Sequence, residues 1–172
     1  DKYDDVKSIN SYNEMIEKGF SKQEGMKHLW ATSRDNARTP MQWNNSKNAG
    51  FSKSEPWIEI NDNYKIINVE NQINDEDSIF NFYKKMIKLR RNSDVLIYGE
   101  YNLILKDDEN IYSYIRKLDN EKIIIITNLT NKKAEYIYEN EVLKFENLLI
   151  SNYKVPEHQP LKKLTLKPYE AR

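Results

Sequence analysis

Apolar positions in the first half of the chain recur at helical spacing, and in the second half they alternate. Residues 11–18 set Tyr12, Met15 and Ile16 on one side of a short helix that Gly19 can close as a C-cap. Ser21 followed by Glu24 has the form of a capping box, so a second helix is expected to open there and run to about Thr32. Across residues 33–72 no periodicity is sustained. A loop of that length inside a compact domain is ordinarily functional or anchored to something. Acidic residues Asp75, Glu76 and Asp77 then lead into Ile79, Phe82, Tyr83, Met86 and Leu89 at i, i+3, i+4, i+7 and i+10, which predicts the strongest helix in the sequence.

Past residue 93 the pattern changes. Tyr101, Leu103 and Leu105 alternate with Asn102, Ile104 and Lys106, a polar turn follows at residues 107–110, and residues 111–116 alternate again, which is the signature of a hairpin. After a second turn at residues 118–121, the β-branched run at residues 122–127 suits a central strand buried on both faces. Residues 134–138, 147–151 and 161–166 read as further short strands. About six antiparallel strands joined by polar turns imply a small sandwich, so the expected class is α+β with a C-terminal antiparallel β-sandwich. The tyrosines at 101, 112, 114, 136 and 138 can serve as an exposed aromatic platform or as core, and core is the commoner use.

Charge narrows the partners. The 172 residues carry 27 basic and 27 acidic side chains, with neither sign gathered in a block, which disfavours nucleic acid or an anionic membrane as partner. Twelve tyrosines supply enough aromatic area for a core despite a mean hydropathy of −0.88. The absence of cysteine fits a reducing cytoplasm, and no apolar run approaches the length of a membrane span. Asn128-Leu129-Thr130 matches a glycosylation sequon but reads here as a turn at a strand end. Neither a cofactor nor a metal is expected: there is no Cys, no paired-His motif and no Asp-rich calcium loop. His28 falls in the second helix and His158 in a proline-flanked loop, and both read as structural or solvated.

The densest chemistry lies in the unpatterned stretch. Residues 33–43 read Ser-Arg-Asp-Asn-Ala-Arg-Thr-Pro-Met-Gln-Trp, and Asn48-Ala49-Gly50-Phe51 follows. A sugar presents hydroxyls and a flat apolar ring face, so its sites combine forked donors, carboxylates and aromatic surfaces. Arg38 can give two hydrogen bonds from one planar group, Trp43 and Phe51 can stack, and Asp35 and Asn36 can accept the remaining guanidinium protons. The same residues equally describe a salt-bridged loop pinned down by Pro40 and Trp43. That is the commoner use.

The wider set of motifs weighs against the commoner use. RDNARTPMQW, NAGF, Pro56-Trp57-Ile58, Asn63-Tyr64-Lys65, Ile67-Asn68-Val69 and Asp77-Ser78-Ile79-Phe80 resemble, in order, the C-terminal third of bacterial α-glucosidases. Those enzymes form the oligo-1,6-glucosidase group of the α-amylase family of glycoside hydrolases, which also holds trehalose-6-phosphate hydrolases and sucrose isomerases. The likeness runs to about residue 130 and weakly on to residues 166–171. It implies that residues 1–93 are the end of a (β/α)8 barrel, carrying a long substrate-side loop and the last helix, and that residues 94–172 are a β-sandwich domain. A whole barrel needs about 250 residues. Retaining hydrolysis needs two carboxyl groups about 5 Å apart, and the family's signatures around them, Arg-x-Asp and Asn-His-Asp, are absent. No catalytic residue is therefore assigned, and the chain alone is expected to be inactive.

Carried over residue by residue, the resemblance makes Arg38 the substrate-binding residue, a clamp on the non-reducing glucose that pairs with an upstream Asp outside this sequence. Arg34, Asp35 and Asn36 become its supporting neighbours, and Trp43 a packing aromatic. The family usually follows Gln-Trp with Asp where this chain has Asn44, and Ala37 between the arginines is commoner among oligo-1,6-glucosidases than Ser. The implied protein is a retaining α-glucosidase acting on short oligosaccharides, with a missing N-terminal barrel as partner. The open alternatives are a trehalose-6-phosphate hydrolase, a sucrose isomerase, or a stand-alone carbohydrate-binding or interaction sandwich. Without that barrel, the apolar stripe on the last helix leads to an expectation of self-association or loss of order in residues 1–75, with the residue 34–43 loop most prone to it.

Overall fold

In the computed structural model, residues 3–139, 147–156 and 161–172 are described. The chain forms two compact units, Asp1–Asn81 and Phe82–Arg172.

In the first unit, α1 spans Val6–Glu17. It begins well ahead of residue 11 because Asp5 caps it, its carboxylate accepting from the Ser8 amide at 3.1 Å. Gly19, at φ 90°, closes it as expected, with the Gly19 and Phe20 amides donating back to Ile16 and Met15 at 3.0 Å. The capping box is also present. Ser21 Oγ accepts the Glu24 amide at 3.3 Å and the Ser21 amide donates to Glu24 Oε2 at 2.8 Å, opening α2 over Lys22–Thr32. Gly25 lets the two helices approach closely, since a Cβ there would sit 2.7 Å from the Tyr12 ring. His28 Nε2 lies 3.1 Å from Ser11 Oγ, which ties α2 to α1 and gives this histidine a structural role. His158 lies outside the described residues.

The stretch without periodicity is built from side-chain-capped turns. Ser33, Asn61 and Asn68 each accept an amide two or three residues on, opening 3-10 turns at Arg34–Ala37 and Asp62–Lys65 and the short helix α3, Val69–Asn74. Such local bonds are why Ser and Asn favour turns over long helices. Residues 3–75 are thus folded, and loss of order is not what the structure shows. The acidic cluster lies ahead of α4, Ile79–Arg91, and the capping bond comes from Ser78 Oγ, which accepts the Asn81 amide at 3.2 Å. On the α4 stripe Ile79, Tyr83 and Met86 are all exposed.

The second unit contains one helix that the alternation did not foretell. Residues Asp94–Tyr98 form α5, because Ser93 caps the run and buries Val95 in a helical turn. Arg116 reaches this helix, donating to the Val95 and Ile97 carbonyls at 3.4 and 3.3 Å. The hairpin is present as β1, Glu100–Ile104, and β2, Ile111–Leu118; β2 then pairs with β3, Glu121–Asn128, in an antiparallel sheet of order β1-β2-β3. The centre of that sheet is β2. The expected central strand is β3, yet Ile123, Ile124 and Ile125 are only half-buried and Ile126 alone of the four isoleucines is fully enclosed. Its far side is met by the chain's last residues. Ile126 and Arg172 exchange both backbone bonds at 2.9 Å, and the Asn128 amide donates to the Glu170 carbonyl at 2.8 Å.

A second, two-stranded sheet pairs β4, Ala134–Ile137, with β5, Lys163–Leu166. Residues 147–151, expected as a strand, form none, since their backbone finds no ladder partner among the described residues. One core joins the two sheets: Ile104, Ile111, Ile115 and Ile126 from the first meet Ala134, Tyr136, Leu164 and Leu166 from the second. The sequon asparagine is buried among these elements. Asn128 donates to the Lys132 and Lys167 carbonyls at 2.7 and 2.8 Å and accepts from the Thr130 amide and hydroxyl, which leaves no free amide. Among the described residues, no helix is long and apolar enough to cross a membrane.

Candidate functional site

The arginine loop is organised by a residue the sequence had not singled out. Asp5, placed by the start of α1, is buried, and its side chain is only 3% exposed. Its Oδ2 accepts the Ser8 amide and the Ser8 hydroxyl at 3.1 and 2.8 Å, while Oδ1 accepts from Arg34 Nη2. Ser8 Oγ in turn lies 2.9 Å from Ser33 Oγ at the end of α2. The hydrogen bond from Arg34 is the main reason the Asp5 carboxyl is pushed down from 3.8 to about 2, against the opposing effect of burial.

Asp35 is the second buried carboxylate. Its Oδ2 accepts the Asp4 and Asp5 amides at 2.9 and 2.8 Å, which pins the entry of α1 onto the 3-10 turn. Its Oδ1 makes no hydrogen bond among the described residues, but Arg38 Nη1 stands 3.7 Å from it and 4.0 Å from Asp5 Oδ1. Arg38 therefore faces two carboxylates of this chain, neither of them the upstream Asp that the resemblance implies. The reason is topological: the helix cap of α1 folds back onto the turn that follows α2. At these separations the attraction orients the guanidinium without using up its donors, and the side chain keeps 43% of its surface exposed.

The other candidates separate from this cluster. Asn36 turns away from the arginines, its amide donating to the Leu29 and Trp30 carbonyls at 3.3 and 2.9 Å at the end of α2. Trp43 and Phe51 are both about half exposed, and no hydrogen bond, ion pair or ring contact among the described residues joins either ring to Arg38. Their backbone is held firmly instead. Ala49, fully buried, accepts the Trp43 and Asn44 amides on its carbonyl at 2.8 and 3.2 Å, and the Gln42 and Trp43 carbonyls accept the Val69 and Glu70 amides at 2.9 and 3.0 Å. Asn48, Ala49 and Gly50 achieve this with φ of 54°, 54° and 67°, left-handed backbone that is costly for an alanine. The loop is folded, with its own anchors. Asn44 Oδ1 accepts the Ser46 amide and hydroxyl at 3.0 and 2.6 Å, so this position acts as a turn former.

Asp5 left a partial trace in the sequence: an acidic residue just ahead of Val6, Ile9 and Ile16, which is an N-cap pattern. Its contact with arginines 29 and 33 positions later had no local signal. Among the described residues no group of His, Cys, Asp and Glu side chains could hold a metal ion.

An α-amylase catalytic-domain family model matches residues 4–99, and the α-amylase SusG C-terminal domain model matches residues 111–172. The chain is 47% identical over 172 residues to an oligo-1,6-glucosidase of Parageobacillus thermoglucosidasius, covering 99% of this chain and 31% of that protein. It is 38% identical to a trehalose-6-phosphate hydrolase of Bacillus subtilis, over 98% of this chain and 30% of that one. Among solved structures, the trehalose-6-phosphate hydrolase of Bacillus licheniformis superposes with a TM-score of 0.90 at 43% identity, and an isomaltulose synthase from Klebsiella sp. with 0.86 at 34%. These cover 98% of this chain and 31% and 30% of theirs, so the chain spans about a third of the length of the relatives it matches.

Proposed function

The chain belongs to the α-amylase family, and from that premise we propose that it is the C-terminal part of a retaining α-glucosidase of the oligo-1,6-glucosidase kind, in which Arg38 grips the terminal glucose of a short oligosaccharide. The observation that carries the proposal is the Arg38 guanidinium, aimed by Asp5 and Asp35 yet 43% exposed. A group held in direction with donors to spare is suited to two vicinal hydroxyls, and holding the sugar lowers the entropic part of the barrier. The catalytic carboxylates of the intact enzyme would come from the barrel outside this sequence, and this part alone is inactive.

In this reading residues 1–93 complete the barrel and residues 94–172 form a β-sandwich beside it; two sheets sharing one core support the sandwich. The exposed stripe of α4 supports burial against another surface, and self-association of the isolated chain would be one outcome.

The test is Arg38→Ala in the full-length enzyme, assayed on isomaltose and on trehalose 6-phosphate. A fall in kcat/KM of at least about tenfold, equivalent to about 1.4 kcal/mol, is expected on the preferred substrate. An unchanged value removes Arg38 from the site. Preference for the phosphorylated disaccharide would replace the oligo-1,6-glucosidase reading with that of the trehalose-6-phosphate hydrolase relative.

A further inference from the structure

The tyrosines that could be either platform or core divide between the two. Tyr136 is fully buried between the sheets, while Tyr101, Tyr112 and Tyr114 stand on the opposite face of the first sheet, as the alternation of β2 requires. Tyr101 and Tyr112 are 50% and 42% exposed. The Tyr114 ring lies between them, at 5.0 Å from Tyr101 and 5.5 Å from Tyr112, tilted by 38° and 53°. The Tyr101 and Tyr112 hydroxyls are 3.0 Å apart. Three rings so tilted make a curved strip instead of a flat one. Beside the strip, Leu103, Tyr112 and Leu129 floor a shallow cavity of about 130 Å³ whose rim carries Lys106, Glu109 and Asn110. These three side chains have no partner among the described residues. Asp108 also lines the cavity, its carboxylate accepting the Asn110 and Ile111 amides at 2.9 Å, so the rim offers both donors and acceptors with carboxylates in excess.

We propose that this face of the β1–β2 hairpin is a binding site for an α-linked glucose oligosaccharide, its sugar faces on Tyr101 and Tyr112 and its hydroxyls on Lys106, Glu109 and Asn110. Exposed rings next to unpaired polar groups match a ligand that is apolar on its faces and polar on its edges. The excess of carboxylates disfavours an anion, and a polyol can use both the Lys106 donor and the Glu109 and Asn110 acceptors, where a cation would use the acceptors alone. The curvature selects the helically wound α-linked chain over the flat β-linked one. A protein partner would call for a broader apolar surface than one ringed by phenol hydroxyls. The choice of glucose rests on the α-glucosidase reading, but the position of the site does not.

The experiment is a titration of this chain with maltohexaose and with cellohexaose, following the tyrosine ring signals by NMR. Saturable shifts of Tyr101, Tyr112 and Tyr114 are expected with maltohexaose and absent with cellohexaose. Tyr112→Ala weakens binding by about tenfold or more, while Tyr112→Phe, which keeps the ring, and Arg38→Ala stay within about threefold. The proposal is overturned by silent tyrosines, by equal response to both sugars, or by full affinity in Tyr112→Ala. Shifts that depend on protein concentration and not on sugar would make the face a contact between copies. Loss of turnover in the full-length Arg38→Ala enzyme with silent tyrosines removes only this site, and the reverse result removes only the Arg38 reading.

Discussion

Replacing Ala49 by Val strikes the backbone that holds the arginine–tryptophan loop together. Ala49 is fully buried at φ 54°, and its carbonyl accepts two amides. A β-branched residue in the left-handed region costs about 1–2 kcal/mol, and two extra methyl groups at a site without free space cost about 1–3 kcal/mol more, or roughly 2–5 kcal/mol together. Glycine at the same position relieves about 1 kcal/mol of that backbone cost but exposes one methyl's worth of apolar contact and loosens the unfolded chain, effects of about 0.4–1 kcal/mol each, so Ala49→Gly should change stability by less than about 1 kcal/mol. The readout is selective: Trp30, Trp43 and Trp57 all lie in the first unit, so tryptophan emission in a urea titration reports that unit alone. With a urea slope of about 1–2 kcal/mol/M, Ala49→Val should lower the midpoint by at least about 1 M. A midpoint unmoved by Val refutes the strain argument. Equal damage from Gly and Val would show that the alanine methyl, not the backbone, is what matters.

Acid should weaken the first unit in a defined window. The folded carboxyl of Asp5, at about 2, is below its ordinary 3.8, so its ionised form contributes fully above about pH 4 and that contribution is lost as pH falls toward 2. Asp5→Asn should flatten this part of a tryptophan-monitored acid titration, and an identical acid transition would contradict the Arg34–Asp5 assignment. Gly25→Ala gains helix propensity of about 1 kcal/mol, yet its Cβ would press on the Tyr12 ring, so a net loss in urea stability is expected. A net gain would mean that α1 and α2 are not so close. Asn128→Ala leaves the Thr130 amide without its partner and takes one donor each from the Lys132 and Lys167 carbonyls, which keep the Thr130 hydroxyl and the Glu170 amide, so a loss of about 1–3 kcal/mol is expected in the second unit, read by tyrosine near-UV circular dichroism during urea unfolding. Retained stability would show that solvent reaches these groups.

Elements whose cause is local were legible before any coordinates. The Ser21–Glu24 box, the Gly19 stop, the α4 stripe and the β1–β2 hairpin each follow from a cap, a period or a turn within a few residues. The motif run from residues 34–51 and its successors pointed to the α-amylase family in the same way, since the order of residues is all that such a likeness needs. Where the causes were mixed, the sequence left alternatives. Val95 lies in a helix because Ser93 caps it, and the isoleucines of β3 lie beside the last residues of the chain instead of at the sheet's centre.

Tertiary structure alone decided which charges meet. The Asp5 carboxylate reaches Arg34 and Arg38 because α1 and α2 pack against each other and the Arg34–Ala37 turn folds over the cap of α1, a contact between parts of the chain about 30 positions apart. It also divided the tyrosines, sending Tyr136 to the core and leaving Tyr101 and Tyr112 in solvent, because pairing of β1 with β2 sets which side of an alternating strand faces the second sheet. Alternation tells two faces apart. Only packing says which of them is inside.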